Sequence, residues 1–156
     1  MPRASAGILL FRTPRVGEPE VLLVHPGGPF WARKDEGAWS IPKGELDENE
    51  RPWEAARREF QEELGSPPPE GQPLDLGQVR QKGGKTVHCL ALNGDFSITS
   101  LKSNVVAMQW PPKTGRLQSF PEVDRAEWFT LSVAKTKLNA AQSIFINRLR
   151  AELEAL

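Results

Sequence analysis

Three glutamates, Glu59, Glu62 and Glu63, stand at positions i, i+3 and i+4 of a stretch that reads as a helix. At 3.6 residues per turn, that spacing puts all three carboxylates on one helix face. Like charges packed this way repel, and a helix gains nothing from them unaided. A divalent cation turns the repulsion into attraction. Hard cations such as Mg²⁺ take oxygen ligands and commonly combine carboxylates with substrate phosphates. An acidic helix face alone is an ordinary solvated surface, but the surroundings set this one apart. Pro42-Lys43-Gly44 lies just ahead, a turn where the backbone can approach a ligand closely. Arg58 lies inside the cluster, within reach of Glu50 or another carboxylate that it could hold in place.

The helix that must carry these groups runs from about Pro52 to Leu64. Asn49 or Asp47 is the expected cap, Pro52 suits the first turn, and Gly65 ends the helix ahead of Pro67-Pro68-Pro69. Trp53, Ala56, Phe60 and Leu64 form its apolar stripe. Ahead of it, Ala4 to Arg12 and Val21 to His25 read as strands joined by a turn-rich connection, and Trp39-Ser40-Ile41 as a short strand stopped by Pro42. Behind it, Leu74 to Gln81 and Thr86 to Leu92 flank Gly83-Gly84, which suggests a hairpin. Val105 to Trp110 and Glu127 to Phe129 read as further strands. Ala140 to Leu156 reads as an amphipathic helix with Ile144, Leu149 and Leu153 among its apolar positions. No internal repeat or composition shift marks a second domain, so a single α/β domain over residues 1–156 is expected.

Composition narrows the function classes. A chain of 156 residues is long enough to bury a real core. Lys and Arg total 20, as do Asp and Glu, so no global field draws the chain onto nucleic acid. A nonspecific DNA or RNA binder is disfavoured, and any polyanion must meet a local positive cluster. Cys89 is the only cysteine, which removes intrachain disulfides and multi-cysteine metal sites. It reads as a small hydrophobe in a strand, with His88 on the opposite face. The apolar run Ile8 to Phe11 is too short for a signal peptide or a membrane span, so a cytoplasmic protein with no membrane partner is expected.

The stretch from Gly44 to Ser66 resembles the Nudix box: a Gly, five residues, a Glu, seven residues, then Arg-Glu-apolar-any-Glu-Glu-any-Gly-apolar. Those places are held by Gly44, Glu50, Arg58, Glu59, Phe60, Glu62, Glu63 and Gly65. Ser66 departs from the usual aliphatic residue, and Phe60 is aromatic where an aliphatic residue is commoner; neither touches a carboxylate. The resemblance implies a Nudix-type α/β/α sandwich with a mixed sheet. It also implies a Mg²⁺-dependent hydrolase, with Mn²⁺ as an alternative ion, that cuts a phosphoanhydride bond in a nucleotide. Glu59, Glu62 and Glu63 become the implied metal ligands, one of them also handling the attacking water. Glu50 and Arg58 become residues that fix the helix and its carboxylates. Members of the family often recruit a further acid from a later loop. Glu122 is the leading candidate because it precedes a predicted strand; Asp124 and Glu127 follow.

For the substrate, Phe30, Trp31, Trp39 and Trp110 lie in or beside predicted loops and strand ends, where a ring can stack on a base. Lys43 beside Gly44 is the preferred phosphate contact over Lys82, Lys85, Lys113 and Arg116. The approach Trp39-Ser40-Ile41-Pro42-Lys43-Gly44 resembles that of members acting on diadenosine polyphosphates. ADP-ribose, other nucleotide sugars and nucleoside triphosphates are the adjacent readings. Many members dimerise, so a homodimer is a further implication. A binding module that kept the fold and lost the chemistry should lack some box carboxylates, and this chain has them all.

Overall fold

The computed structural model describes residues 3–156. Strand β1 (Ala4–Arg12) is buried along nearly its whole length because it has a layer on each side. Leu9 and Phe11 face one core, with Val21, Leu23, Val87 and Cys89. Ala6, Ile8 and Leu10 face the other, with Leu22, Val24, Leu90 and Leu92. The period of two thus sorts alternate residues into two cores. β2 (Glu20–Pro26) follows β1, and β3 (Lys43–Glu45), helix α1 (Pro52–Leu64), β4 (Leu74–Arg80) and β5 (Thr86–Asn93) come next. Then come β6 (Val105–Gln109), β7 (Leu117–Pro121), β8 (Val123–Thr130), α2 (Leu131–Lys137) and α3 (Ile144–Glu154).

The main sheet has the order β4-β5-β1-β2-β8, with β3 also on β1, while β6 and β7 form a separate hairpin. β1 and β5 are parallel and the other pairs antiparallel, so the sheet is mixed. Helix α1 covers one face through Ala55, Ala56, Phe60 and Leu64. α2 and α3 cover the other through Leu131, Ala134, Phe145, Ile146 and Leu149. The result is the expected α/β/α sandwich. Among the described residues no helix is long and apolar enough to cross a membrane.

The feature that places the site is a fork in this sheet. β1 and β2 pair only at Phe11↔Val21 and Arg12↔Glu20 and then part. The segment from Trp39 to Glu45 fills the gap: Ser40 bridges Val24 of β2, and β3 pairs with Ser5, Ala6 and Gly7 of β1. The expected strand at Trp39-Ser40-Ile41 is therefore corrected. Trp39 and Ser40 make isolated bridges only, because the pairing edge of β1 is taken by Lys43–Glu45.

Other boundaries moved for local reasons. α1 spans Pro52–Leu64, and Gly65 ends it in the left-handed conformation at φ 87. Its N-cap is Arg51, not Asn49 or Asp47; the Glu54 side chain accepts from the Arg51 N–H at 3.3 Å instead. Asn49 turns the chain with φ 64. The hairpin at Gly83-Gly84 is present. The last helix starts at Ile144, after a single 3₁₀ turn at Ala140–Gln142, and Ile144 itself is exposed. α2 and β7 had no counterpart in the sequence reading.

Two outcomes test this packing. A methyl group on Gly7 would lie 2.5 Å from the Pro42 carbonyl oxygen and 2.7 Å from Lys43 Cβ. Gly7→Ala should lose roughly 1–3 kcal/mol by overpacking, seen in urea unfolding as a lower midpoint at unchanged slope. Cys89 is fully buried, and burial pushes its thiol well above the ordinary range. An alkylating reagent should leave the native thiol untouched and label it fully once urea unfolds the chain. Rapid native labelling would show that this strand opens.

Candidate active site

The carboxylates of α1 meet β3 at close quarters. Lys43 N–H donates to Glu63 Oε2 at 2.8 Å, and a Cβ on Gly44 would run into the Glu59 carboxyl group. Glycine lets the strand pass that near the side chain; any larger residue there would displace the carboxyl group. Glu59 and Glu63 are 9% and 5% exposed, uncommon values for carboxylates, whereas Glu62 is exposed.

Arg58 organises the group. Its Nε and Nη2 donate to Glu50 Oε2 and Oε1, both at 2.9 Å, a bidentate pair that fixes the guanidinium plane. Nη1 then donates to Glu59 Oε1 at 2.8 Å and reaches Glu62 Oε1 at 3.4 Å, while Nη2 also reaches the Glu45 carbonyl at 3.0 Å. The hydrogen bonds to Glu50, and then to Glu59, hold the Arg58 proton more tightly than usual. Glu50 is lowered by Arg58 and by the Asp47 N–H.

The buried acids move the other way. Burial raises Glu59 in spite of Arg58, and Glu62 and Glu122 add to the rise. Burial raises Glu63 well above the carboxylate range, and the nearby charges of Glu122 and Glu59 push it further. Burial lowers Lys43, against the pull of Glu63.

Among the described residues, no three acidic, imidazole or thiol side chains converge as they stand on one point. Arg58 stands among them, its Nη1 at 2.8 Å from Glu59 Oε1 and 3.4 Å from Glu62 Oε1. The donor set nevertheless suits a hard divalent cation: all oxygen, partly desolvated, and mutually repelling. Glu59, Glu62 and Glu63 could hold one if Glu59 and Glu62 turned away from Arg58.

Two hollows adjoin these groups. One, of about 180 Å³, is lined by Val24, Pro26, Ser40, Ile41, Lys43, Glu63, Glu122 and Val123. The other, of about 410 Å³, includes Ser5, Lys43, Gly44, Arg58, Glu59, Lys85 and Glu122 in its walls. Lys43 and Glu122 border both. Glu122 sits in the break between β7 and β8, where Gly27 N–H donates to its carbonyl at 2.9 Å.

The structure thus gathers Glu59, Glu63, Arg58, Glu122, Lys43 and Gly44, with Glu62 at the rim. It does not bring in the others. Trp39 is fully buried, its ring against His25 and Phe129 and its Nε1–H bonded to Asp35 Oδ1 at 2.8 Å, so it offers no face to a base. Trp31 is half-buried against the α3-side core, edge-on to Phe30. Lys34 Nζ lies 3.8 Å over the exposed Phe30 ring. Asp124 is engaged by His25 Nδ1 at 2.8 Å, and Glu127 lies within β8 opposite Leu23. Lys113 and Arg116 are exposed in the β6–β7 connection. Lys85 is the cationic residue that the sequence reading passed over; the Gly83-Gly84 turn beside it was the available signal.

A family model described as NUDIX domain matches residues 1–149. The chain belongs to the Nudix family. It is 39% identical over 66 residues to an RNA pyrophosphohydrolase of Bartonella henselae, a match covering 40% of this chain and 35% of that protein. The chain spans about a third of the length of the curated relatives it matches, 35%, 34% and 34%. Among solved structures, a C. elegans Ap4A hydrolase binary complex aligns at TM-score 0.64 and 21% identity, over 97% of this chain and 99% of that one. The NUDIX domain of Shewanella oneidensis NrtR, complexed with ADP ribose, aligns at 0.64 and 18%, over 98% and 89%. At such identities the likeness establishes the fold.

The burial of Glu63 has a measurable consequence. Its folded-state pKa is raised, so its contribution to stability is present in acid and lost as pH rises through that value. Glu63→Gln keeps an acceptor for the Lys43 N–H and cannot ionise. In chelator near neutral pH the variant should melt higher than the parent. A gain of about 1 kcal/mol would move Tm by about 2–4 °C. The gain should vanish in acid, and an equal or lower Tm at neutral pH would show that Glu63 is solvated.

Proposed function

We propose that the protein is a divalent-metal-dependent hydrolase that cleaves a phosphoanhydride bond in a nucleoside diphosphate linked to another moiety. The observation that carries this reading is the pair of buried, mutually repelling carboxylates, Glu59 and Glu63, packed against Gly44 and Lys43 beside a cleft with two lysines. The general use of divalent ions by Nudix hydrolases supports it. Mg²⁺ is the proposed ion and Mn²⁺ the alternative, held by Glu59, Glu62 and Glu63. Such an ion neutralises phosphate oxygens and acidifies the attacking water.

The chain's own residues supply the rest. Lys43 and Lys85 offset the charge of the phosphate chain and fix its direction along the cleft. Arg58, locked by Glu50, holds Glu59 against Gly44 until a cation takes over that carboxylate. Glu63 and Glu122 are the proposed proton acceptors for the attacking water. The desolvation that raises Glu63 increases its affinity for a proton, which suits a general base.

A dinucleoside polyphosphate, with diadenosine tetraphosphate as the first example, is the preferred substrate; the approach to the box and the likeness to a C. elegans Ap4A hydrolase support it. ADP-ribose is the second reading, favoured by the NrtR domain crystallised with that ligand. The Bartonella relative, an RNA pyrophosphohydrolase by name, adds a phosphorylated RNA to the compounds worth testing.

The test is hydrolysis of diadenosine tetraphosphate, ADP-ribose, nucleoside triphosphates and that RNA, with Mg²⁺ and with EDTA, products separated by chromatography. The expected outcome is metal-dependent cleavage of diadenosine tetraphosphate. Glu62→Gln and Glu63→Gln should each lower turnover by orders of magnitude while the circular dichroism spectrum is retained. Saturable nucleotide binding without cleavage of any compound would instead identify a binding module. Near-normal turnover in both variants would remove these glutamates from the mechanism.

A further inference from the structure

The cleft lysines sit on separate pieces of chain, Lys43 on β3 and Lys85 at the end of the β4–β5 turn. Their strands share β1 as a neighbour, which leaves the turn that carries Lys85 as the part still to be held. The turn itself holds poorly: Gly83 and Gly84 have φ 91 and 86, and a Cβ built on either meets nothing within 4 Å. The turn is closed by backbone hydrogen bonds, Gln81 N–H to the Lys85 carbonyl at 2.7 Å and Gly84 N–H to the Gln81 carbonyl at 3.1 Å. Those bonds fix Lys85 relative to Gln81, while the sheet ties the turn to β3 only indirectly, through β1, on which Thr86 stands opposite Ala4 and Lys43 opposite Gly7.

Gln142 adds a direct tie between the turn and the segment that leads into β3. It is fully buried, in the 3₁₀ turn before α3. Its Oε1 accepts from the Ile41 N–H at 3.0 Å. Because that backbone group can only donate, the orientation of the carboxamide is settled. Nε2 must then be the donor, and it reaches Ser40 Oγ and Gln81 Oε1, each at 3.0 Å. Ser40 Oγ in turn donates to the Ile41 carbonyl at 2.7 Å. The network is satisfied throughout, a condition under which a buried polar group rigidifies its neighbours.

One carboxamide thus grips Ser40-Ile41, directly upstream of Lys43, and Gln81, whose main chain closes on Lys85. We infer that Gln142 and Gln81 form a positioning pair that fixes Lys85 against Lys43, and so set the cleft to the spacing of a polyphosphate chain. The inference rests on the proposed role of the two lysines as phosphate contacts. It gives Gln142 no contact with substrate and no part in proton transfer.

The experiment uses the full chain with Mg²⁺ present throughout and inorganic tripolyphosphate as probe, with Kd read by calorimetry. Gln81 is half-exposed, so Gln81→Met should fold. It should weaken binding about fivefold, the size of one lost hydrogen bond. Lys85→Met should weaken binding at least as much. The double variant should bind no worse than Lys85→Met alone, because Gln81 acts through Lys85. Gln142→Met should weaken binding at least as much as Gln81→Met, and also lower Tm, since it leaves the Ile41 N–H without a partner. Wild-type affinity in Gln81→Met, effects of Gln81 and Lys85 that multiply, or no binding of the probe by the parent would overturn the inference. Binding that follows the expected pattern in a protein that cleaves no nucleotide would sustain the positioning pair and remove the hydrolase reading.

Discussion

The structure depends on how closely β3 can pass between β1 and α1. On one side Gly7 lets the Pro42–Lys43 backbone lie against β1; on the other Gly44 lets the Glu59 carboxylate lie against β3. Neither glycine is there for an unusual backbone angle. Each supplies missing volume, and together they compress the contacts of β3 with its neighbour in the sheet and with the helix that covers it. At that distance the Lys43 N–H meets Glu63, and Glu59 and Glu63 are buried where an ordinary acidic helix would leave them in solvent.

The compression carries an electrostatic cost that the surroundings only partly offset. Arg58 is committed to Glu50 and Glu59, and one backbone N–H serves Glu63. Glu122 arrives from a distant part of the chain and adds like charge to the same region. The α1–β3 contact is nevertheless held by apolar packing at right angles to the charges: Phe60, Leu64, Ala55 and Ala56 fill the space under the helix. A fully buried side chain of the larger kind contributes roughly 1.5–3 kcal/mol, enough for the helix to carry acids that the fold would otherwise reject. This division of labour, with stability on one helix face and strain on another, is common where sites are built on rigid elements.

What the sequence disclosed follows from range. The limits of α1 were legible because Pro52 and Gly65 act locally, and its three carboxylates because helical spacing is local too. β1 was legible as a strand from its apolar run, though its division between two cores and its partners were not. Trp39 was misplaced among candidate stacking rings because its burial depends on α2 and on Phe129, ninety residues away. β7 was invisible because Leu117, Gln118 and Ser119 are exposed and give no alternation. α2 was hidden by the β-branched Val133 and Thr136 following directly on a strand, although Thr130, whose hydroxyl accepts from the Val133 N–H, was a readable cap. Lys85 was one of several candidate cations with nothing to rank it above the rest, and Gln142 carried no signal: each acquires its meaning only when the fold brings Lys43 to one and Ile41 to the other.

The balance of charge explains how a chain with no net charge can be suited to a polyanion. Acids and bases are equal overall, 20 of each, so long-range attraction is absent and selectivity must come from the cleft alone. There the bases are of two kinds. Arg58, planar and bidentate, is spent inside the protein on Glu50. Lys43 and Lys85, compact and singly directed, are left at the cleft wall beside Glu59 and Glu122. A phosphate chain approaching the lysines must also approach these carboxylates, which repel it unless a cation lies between. Recognition of the polyanion and recruitment of the cation are on this reading one event, because each makes tolerable the charge of the other.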